Sequence, residues 1–126
     1  MTGRLGLRVL AIDDEPYIVA TMRRAFRNHL DLVVETDPVA AIAQLARGAF
    51  DVILADFSMP RMNGVAFLER ARELQPRALR YLVTAHVNTG EVERAVTRGV
   101  ARAVIAKPWT REALLDLLAA GAAETR

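Results

Sequence analysis

The stretch Phe50 to Gly64, FDVILADFSMPRMNG, sets the apolar residues Val52, Ile53, Leu54 and Ala55 directly against one carboxylate, Asp56. Met59, Pro60 and Gly64 follow and do not continue a strand. An apolar run of that length between an acid and a turn reads as an interior strand of a parallel sheet, covered by helices on both faces. Ligands and chemistry collect beyond the carboxyl ends of such strands, and Asp56 stands there. A single Asp after a strand also caps or turns a chain, so the neighbouring segments decide between the two roles.

Toward the amino terminus, Leu7 to Ile12 is a second apolar stretch, and it ends in Asp13, Asp14 and Glu15. Pro16 suits a first helical turn, and Ile18, Met22, Ala25 and Phe26 repeat at helical spacing, which predicts a helix from Pro16 to about His29. His29 at that end complements the helix dipole and receives no chemical role. Leu32 to Glu35 is a short strand, and Asp37 with Pro38 opens an Ala-rich helix that closes at Gly48.

Toward the carboxyl terminus, Asn63 caps a helix whose apolar side is Val65, Phe67, Leu68, Ala71 and Leu74, and Gln75 with Pro76 ends it. Leu79 to Thr84 is a fourth strand and ends in a hydroxyl. Asn88 and Glu91 have capping-box spacing for a helix that stops near Gly99. Ala103 to Ala106 is a fifth strand, closed by Lys107, Pro108 and Trp109, and Trp109 is assigned to packing. Thr110 caps a leucine-rich last helix that frays at Gly121 into a polar tail. Leu115 lies off that helix's main apolar stripe, so excess apolar surface is left for a partner.

Strands that alternate with helices and have no linker or repeat between them make a doubly wound α/β domain with a five-stranded parallel sheet and five helices. Strand order 2-1-3-4-5 brings the first and third strands side by side, and with them Asp13, Asp14 and Asp56. All 126 residues read as one domain, with its core at about 7–121 and short polar tails.

Composition narrows the function classes. With no cysteine there is no disulfide and no thiolate chemistry. No run approaches the roughly 20 apolar residues of a membrane span, and Met1 to Arg8 lacks a signal peptide's apolar stretch, so a cytoplasmic protein without membrane attachment is expected. The net charge is only +2 with scattered basic residues, and Arg23, Arg24 and Arg27 fall on a solvated helix face, so direct nucleic-acid binding is not expected. Of the 17 basic residues all but one are Arg, and the exception is Lys107. A single flexible ammonium among guanidinium groups marks a position to inspect.

Three carboxylates brought within a few ångströms repel one another, and they persist by taking up protons or by holding a cation. Oxygen ligands with no histidine or cysteine beside them favour Mg²⁺. Magnesium uses one or two carboxylates, which leaves another free as a nucleophile toward a phosphoryl donor. The acyl phosphate so formed needs a cation, an ammonium and a hydroxyl or amide around its oxygens, and Asp14 (through the cation), Lys107 and Thr84 can supply these.

Four segments at strand ends, IDDEP (Ile12 to Pro16), DFSMPRMNG (Asp56 to Gly64), TA (Thr84, Ala85) and KPW (Lys107 to Trp109), resemble the receiver domain of bacterial two-component response regulators, in the single-domain form of chemotaxis regulators, over essentially the whole chain. The resemblance implies a flavodoxin-like receiver fold and a signalling domain, not an enzyme, that assists its own aspartyl phosphorylation and dephosphorylation. It implies Asp56 as phosphoacceptor and Mg²⁺ as cofactor, with Asp14 and Asp56 as direct ligands, Asp13 acting mainly through water, and the main-chain carbonyl of Ser58 as a further ligand. Thr84 resembles the hydroxyl that swings to the phosphoryl group, Lys107 its ion-pair partner, and Lys107–Pro108 a cis bond.

The implied partners are a histidine kinase or phosphotransfer protein, a downstream protein or output domain, and a weak homodimer through the fourth helix, fifth strand and fifth helix. Ser58 and His86 stand where the family tunes the lifetime of the phosphoryl group, or else Ser58 satisfies its own turn and His86 is an ordinary surface residue. Three residues before the lysine, where the family has a switching Tyr or Phe, this chain has Val104. The signal is then expected to leave through repacking of the fourth helix and fifth strand. The alternatives are a receiver-like scaffold that works without phosphate, and a magnesium-dependent phosphohydrolase of the haloacid dehalogenase type. That type carries a second Asp two residues after its nucleophile on the first strand, a pattern the adjacent Asp13 and Asp14 do not fit.

Overall fold

The computed structural model describes residues 5–124, and the outermost residues of the expected tails, 1–4 and 125–126, lie outside that range. In chain order the elements are β1 (Arg8–Ile12), α1 (Pro16–Phe26), β2 (Asp31–Glu35), α2 (Pro38–Arg47), β3 (Val52–Asp56), α3 (Gly64–Leu74), β4 (Leu79–Thr84), α4 (Gly90–Thr97), β5 (Ala103–Ala106) and α5 (Arg111–Glu124). All strand pairs are parallel and the sheet order is β2-β1-β3-β4-β5. This is the expected doubly wound fold.

Alternate residues of each strand face opposite layers. Leu10, Ile12, Ile53, Ala55 and Leu82 meet Ala41 and Leu45 of α2, Phe67 and Leu68 of α3, and Val92 and Ala95 of α4. Val9, Ala11, Val52, Leu54, Tyr81, Val83 and Ile105 meet Met22 and Phe26 of α1 and Leu114 and Leu118 of α5. Strand β3 lies at the centre and is buried at every position. Burial of each of Val52, Ile53 and Leu54 contributes about 1.5–3 kcal/mol. The register pairs Ile12 with Ala55, Asp56 with Val83 and Thr84 with Ala106, so the polar residues that end β1, β3, β4 and β5 come to one edge of the sheet.

Several helix ends differ from the expectations. Helix α1 stops at Phe26, short of His29, because β2 begins at Asp31 opposite Arg8 and residues 27–30 must turn the chain into it. His29 donates its amide to Phe26 O at 2.8 Å, and its Nδ1 is buried with no partner. The basic groups in the last turn of α1 are Arg23 and Arg24. The cap of α4 is Thr89, whose hydroxyl accepts from Val92 N at 3.3 Å, so the Asn88–Glu91 box does not form. Helix α5 does not fray at Gly121 but runs through it to Glu124. Gly121 is buried against the Tyr81 hydroxyl, where any Cβ would overlap, and there the glycine brings the helix close to the sheet. Asp37, Asn63 and Thr110 cap α2, α3 and α5 as expected.

Gln75, just past α3, ties two distant segments together. Its amide nitrogen donates to Leu45 O at 2.8 Å and to Gly48 O at 2.6 Å, and its carbonyl accepts from Phe50 N at 2.8 Å.

Candidate functional site

Beyond the last residue of β1 the chain presents Asp13 and Asp14, β3 ends on Asp56, and the residue after β5 is Lys107. Asp13 and Asp56 are 4% and 6% exposed. Carboxylate oxygens of Asp13, Asp14 and Asp56 all lie within 4.8 Å of one another. Lys107 Nζ donates to Asp56 Oδ1 at 2.7 Å and to Asp13 Oδ2 at 3.2 Å. The ammonium is held in place by its own backbone, because Lys107 N donates to Thr84 O at 3.0 Å and so fixes the end of β5 beside that of β4. The Lys107–Pro108 bond is cis, as the resemblance implied. Asp13 Oδ1 also accepts from Glu15 N at 3.0 Å, which sets the turn into α1.

Below the carboxylates the floor is apolar. Ile12, Ile18, Met22, Leu54, Val83 and Trp109 close it, leaving a space of about 10 Å³, and Trp109 is braced on the Phe26 ring at 5.3 Å. Trp109 is therefore a packing residue, as assigned. Burial on that floor pushes the Asp56 carboxyl above its ordinary range; the hydrogen bond from Lys107 pulls the other way, and the charges of Asp13 and Asp14 add to the rise. Burial works against the charge on Lys107 too, but its hydrogen bond to Asp56 and the charges of Asp13 and Asp56 together outweigh it and hold the ammonium above its usual value. At neutral pH Lys107 is a fixed cation beside carboxylates it cannot fully balance.

Thr84 is buried at the mouth of β4, and its hydroxyl accepts from His86 N at 3.0 Å, so the oxygen is engaged by its own loop. Ser58 and His86 are both exposed. Val104 is half-buried and packs in the layer of α3 and α4, with Val92, Ala95 and Val96. Two contacts at the rim had not been expected. Arg61 pairs with Asp37 at 3.3 Å, and Asn63 Nδ2 donates to Glu91 Oε2 at 3.1 Å. The first joins the loops after β2 and β3, and the second joins the loop after β3 to α4. Neither has a local sequence signal, because the partners stand 24 and 28 positions apart.

The model of the response regulator receiver domain matches residues 9–119. The chain belongs to that family. Among curated relatives, the receiver resembles the hydrogenase transcriptional regulatory protein HoxA of Cupriavidus necator, at 30% identity over 108 residues, which cover 86% of this chain and 22% of that protein. The chain thus spans about a fifth of that relative's length. Among solved structures it superposes on a CheY-like receiver domain protein from Methanospirillum hungatei with a TM-score of 0.85, at 24% identity and covering 94% of this chain and 95% of that one. It also superposes on the receiver domain of a Pseudomonas aeruginosa sensor histidine kinase that has magnesium in its active-site cleft, with a TM-score of 0.80, 22% identity and coverage of 93% and 98%. Both likenesses are to the fold. No described helix of the receiver is long and apolar enough to cross a membrane.

Proposed function

We propose that this receiver is a phosphoacceptor switch in which Asp56 takes a phosphoryl group from a histidine kinase or phosphotransfer protein. The observation that carries the reading is the constellation of buried Asp13 and Asp56 and half-buried Asp14, with Lys107 bonded to Asp56 at 2.7 Å. The residues fit a magnesium ion, because the three acids offer only hard oxygen ligands and their mutual repulsion is relieved by a cation. Asp14 and Asp56 would hold it directly, Asp13 through water, with the Ser58 carbonyl as a further ligand. When bound, the ion supplies charge neutralisation at phosphoryl oxygens.

The chain's own groups do the rest. An Asp56 carboxylate oxygen forms a bond to phosphorus as the bond from phosphorus to the donor's imidazole nitrogen breaks and its electron pair leaves with the imidazole. The Lys107 ammonium faces the negative charge on the phosphoryl oxygens. Thr84 exchanges its bond with His86 N for one to the phosphoryl group, and the loop of residues 85–89 moves with it. With Val104 in place of an aromatic, the change reaches the α4-β5-α5 surface through repacking of α4 on β5, and that surface regulates a downstream protein or output domain, or a weak homodimer. On this reading residues 1–126 form one receiver domain, and Ser58 and His86 tune how fast water removes the phosphoryl group. Ser58→Ala and His86→Ala should each alter the dephosphorylation rate, and unchanged rates would remove that role.

Intact mass after incubation with acetyl phosphate, with and without Mg²⁺, tests the main proposal. The expected result is one phosphoryl group, dependent on magnesium and absent in Asp56→Ala. No gain in the native protein would overturn it and favour a scaffold that works without phosphate.

A further inference from the structure

The end of the sheet opposite Asp56 carries a groove of about 510 Å³ between the end of α2 and the end of α3. Its floor is apolar, formed by Leu45, Phe50, Leu74 and Pro76 among others, and Arg47 and Arg77 also line it. Across Pro76–Ala78 it adjoins a second groove of about 300 Å³ that Arg80 and Arg102 help to line. Among the described residues no carboxylate lines either one.

The four arginines differ in what they face. Arg102 pairs with Glu124. Arg80 gives four hydrogen bonds to the carbonyls of Pro76, Ala78, Gly99 and Val100, and is tied into the fold. Arg47 and Arg77 are exposed and have no hydrogen-bond or carboxylate partner among the described residues. Arginine in a last helical turn, where Arg47 stands, complements the helix dipole. That accounts for the charge of Arg47 but not for an apolar groove beside it, nor for Arg77, which follows the end of α3.

We propose that this groove docks a segment of a partner protein in which apolar side chains alternate with acidic ones. The apolar side chains would lie on the Leu45, Leu74 and Pro76 floor, and the acids would meet Arg47 and Arg77, two guanidinium groups suited to carboxylates. Charge and chemistry point to a protein and not to a nucleic acid. Among the described residues Phe50 is the only aromatic lining either groove; it is buried, and the Arg8 guanidinium stands over its ring at 4.4 Å, so bases find no stacking platform. The contact is separate from the phosphoacceptor end and does not depend on Asp56.

The test is amide chemical-shift mapping on the ¹⁵N-labelled full chain carrying Asp56→Ala, so that the fate of the phosphoacceptor reading cannot affect it. The probe is an acetylated peptide of repeating Glu-Glu-Leu-Leu, beside versions with Lys for Glu or Ser for Leu, and an oligothymidylate. The expected result is shifts concentrated at residues 45–50 and 74–80 with the acidic apolar peptide alone. Affinity should fall about tenfold in the Arg47→Glu/Arg77→Glu variant and weaken with salt. Arg47→Gln/Arg77→Gln, which nearly keeps side-chain volume, should show a smaller loss and serves if the charge reversal unfolds the chain. Absence of shifts in this groove, equal binding of the lysine peptide, or unchanged affinity in the variants would overturn the proposal. Stronger binding of the oligothymidylate at these residues would overturn it in favour of a nucleic-acid partner.

Discussion

At the carboxyl ends of β1, β3 and β5 the charges are buried and answer one another, with Asp13 and Asp56 sharing the Lys107 ammonium. At the amino ends of β4 and β5, by contrast, the arginines donate to main-chain carbonyls, pair with carboxylates near water, or stand free. Both ends are polar and both hold some charge against burial, since burial, with the charge of Arg72 adding to it, pulls the Arg80 guanidinium below its usual value; but only the first gathers three like charges around one buried group. Burial raises the Asp56 carboxyl although an ammonium lies 2.7 Å away, and the charges of Asp13 and Asp14 add to the rise. Desolvated like charge of that kind is retained where a ligand or a reaction uses it. The arginine end offsets the burial of Arg80 with main-chain hydrogen bonds and otherwise depends on shape and exposed charge.

The largest losses are expected at the two close approaches of backbone to sheet. A Cβ at Gly64 would lie 2.5 Å from the Asp56 carbonyl oxygen and 2.8 Å from Leu82 Cδ2. Gly64→Ala should therefore cost about 3 kcal/mol or more in urea denaturation, since backbone cannot move aside cheaply. At the opposite end, Gly121→Ala meets a side-chain tip, the Tyr81 hydroxyl, and should cost less, about 2 kcal/mol. That hydroxyl is buried beside the Arg102 guanidinium, so Tyr81→Phe alone should cost no more than about 1 kcal/mol, and added to Gly121→Ala it should restore part of the loss.

A pH titration of stability sharpens the contrast. The folded state keeps the Asp56 proton to higher pH than the unfolded chain, whose value is near 3.8. Metal-free stability should therefore fall as pH rises from that value through the raised one, by about 1.4 kcal/mol per unit at most. Asp56→Asn should remove that slope, and an unchanged slope would show that the acids do not strain the fold. Lys107 adds a term of the same sign at higher pH, present below 10.5 and lost as pH climbs through its raised value. The smallest effect belongs to Val104→Phe. The site is half-buried, so stability should shift by less than about 1 kcal/mol. Phosphorylation-driven changes in the α4 amide spectrum should remain as in the native protein, and a large change would show that valine alone does not transmit the signal.

Strands were the most legible part of the chain. Leu79–Thr84 and Ala103–Ala106 have the limits read from the sequence, where their apolar residues give way to the Thr84 hydroxyl and to Lys107. The acidic end was legible for the same reason, since a carboxylate directly after a buried run has few places to go. Helix ends were less so: α1 stops early because β2 needs the following residues, and α5 continues because Gly121 fits under Tyr81. The Asn63–Glu91 and Arg61–Asp37 contacts and the groove beside Arg47 and Arg77 depend on segments that only the folded chain brings together.

Gln75 has a consequence for the kinetics of this surface. Its amide group is fully occupied by the main chain of Leu45, Gly48 and Phe50, so the turn between α2 and β3 moves as an extension of α3. A groove wall braced in this way has little conformational entropy left to lose on association, and the ordering cost falls on whatever binds there. Encounter then needs no opening step on the receiver's side, and differences among ligands appear mainly in how slowly they leave.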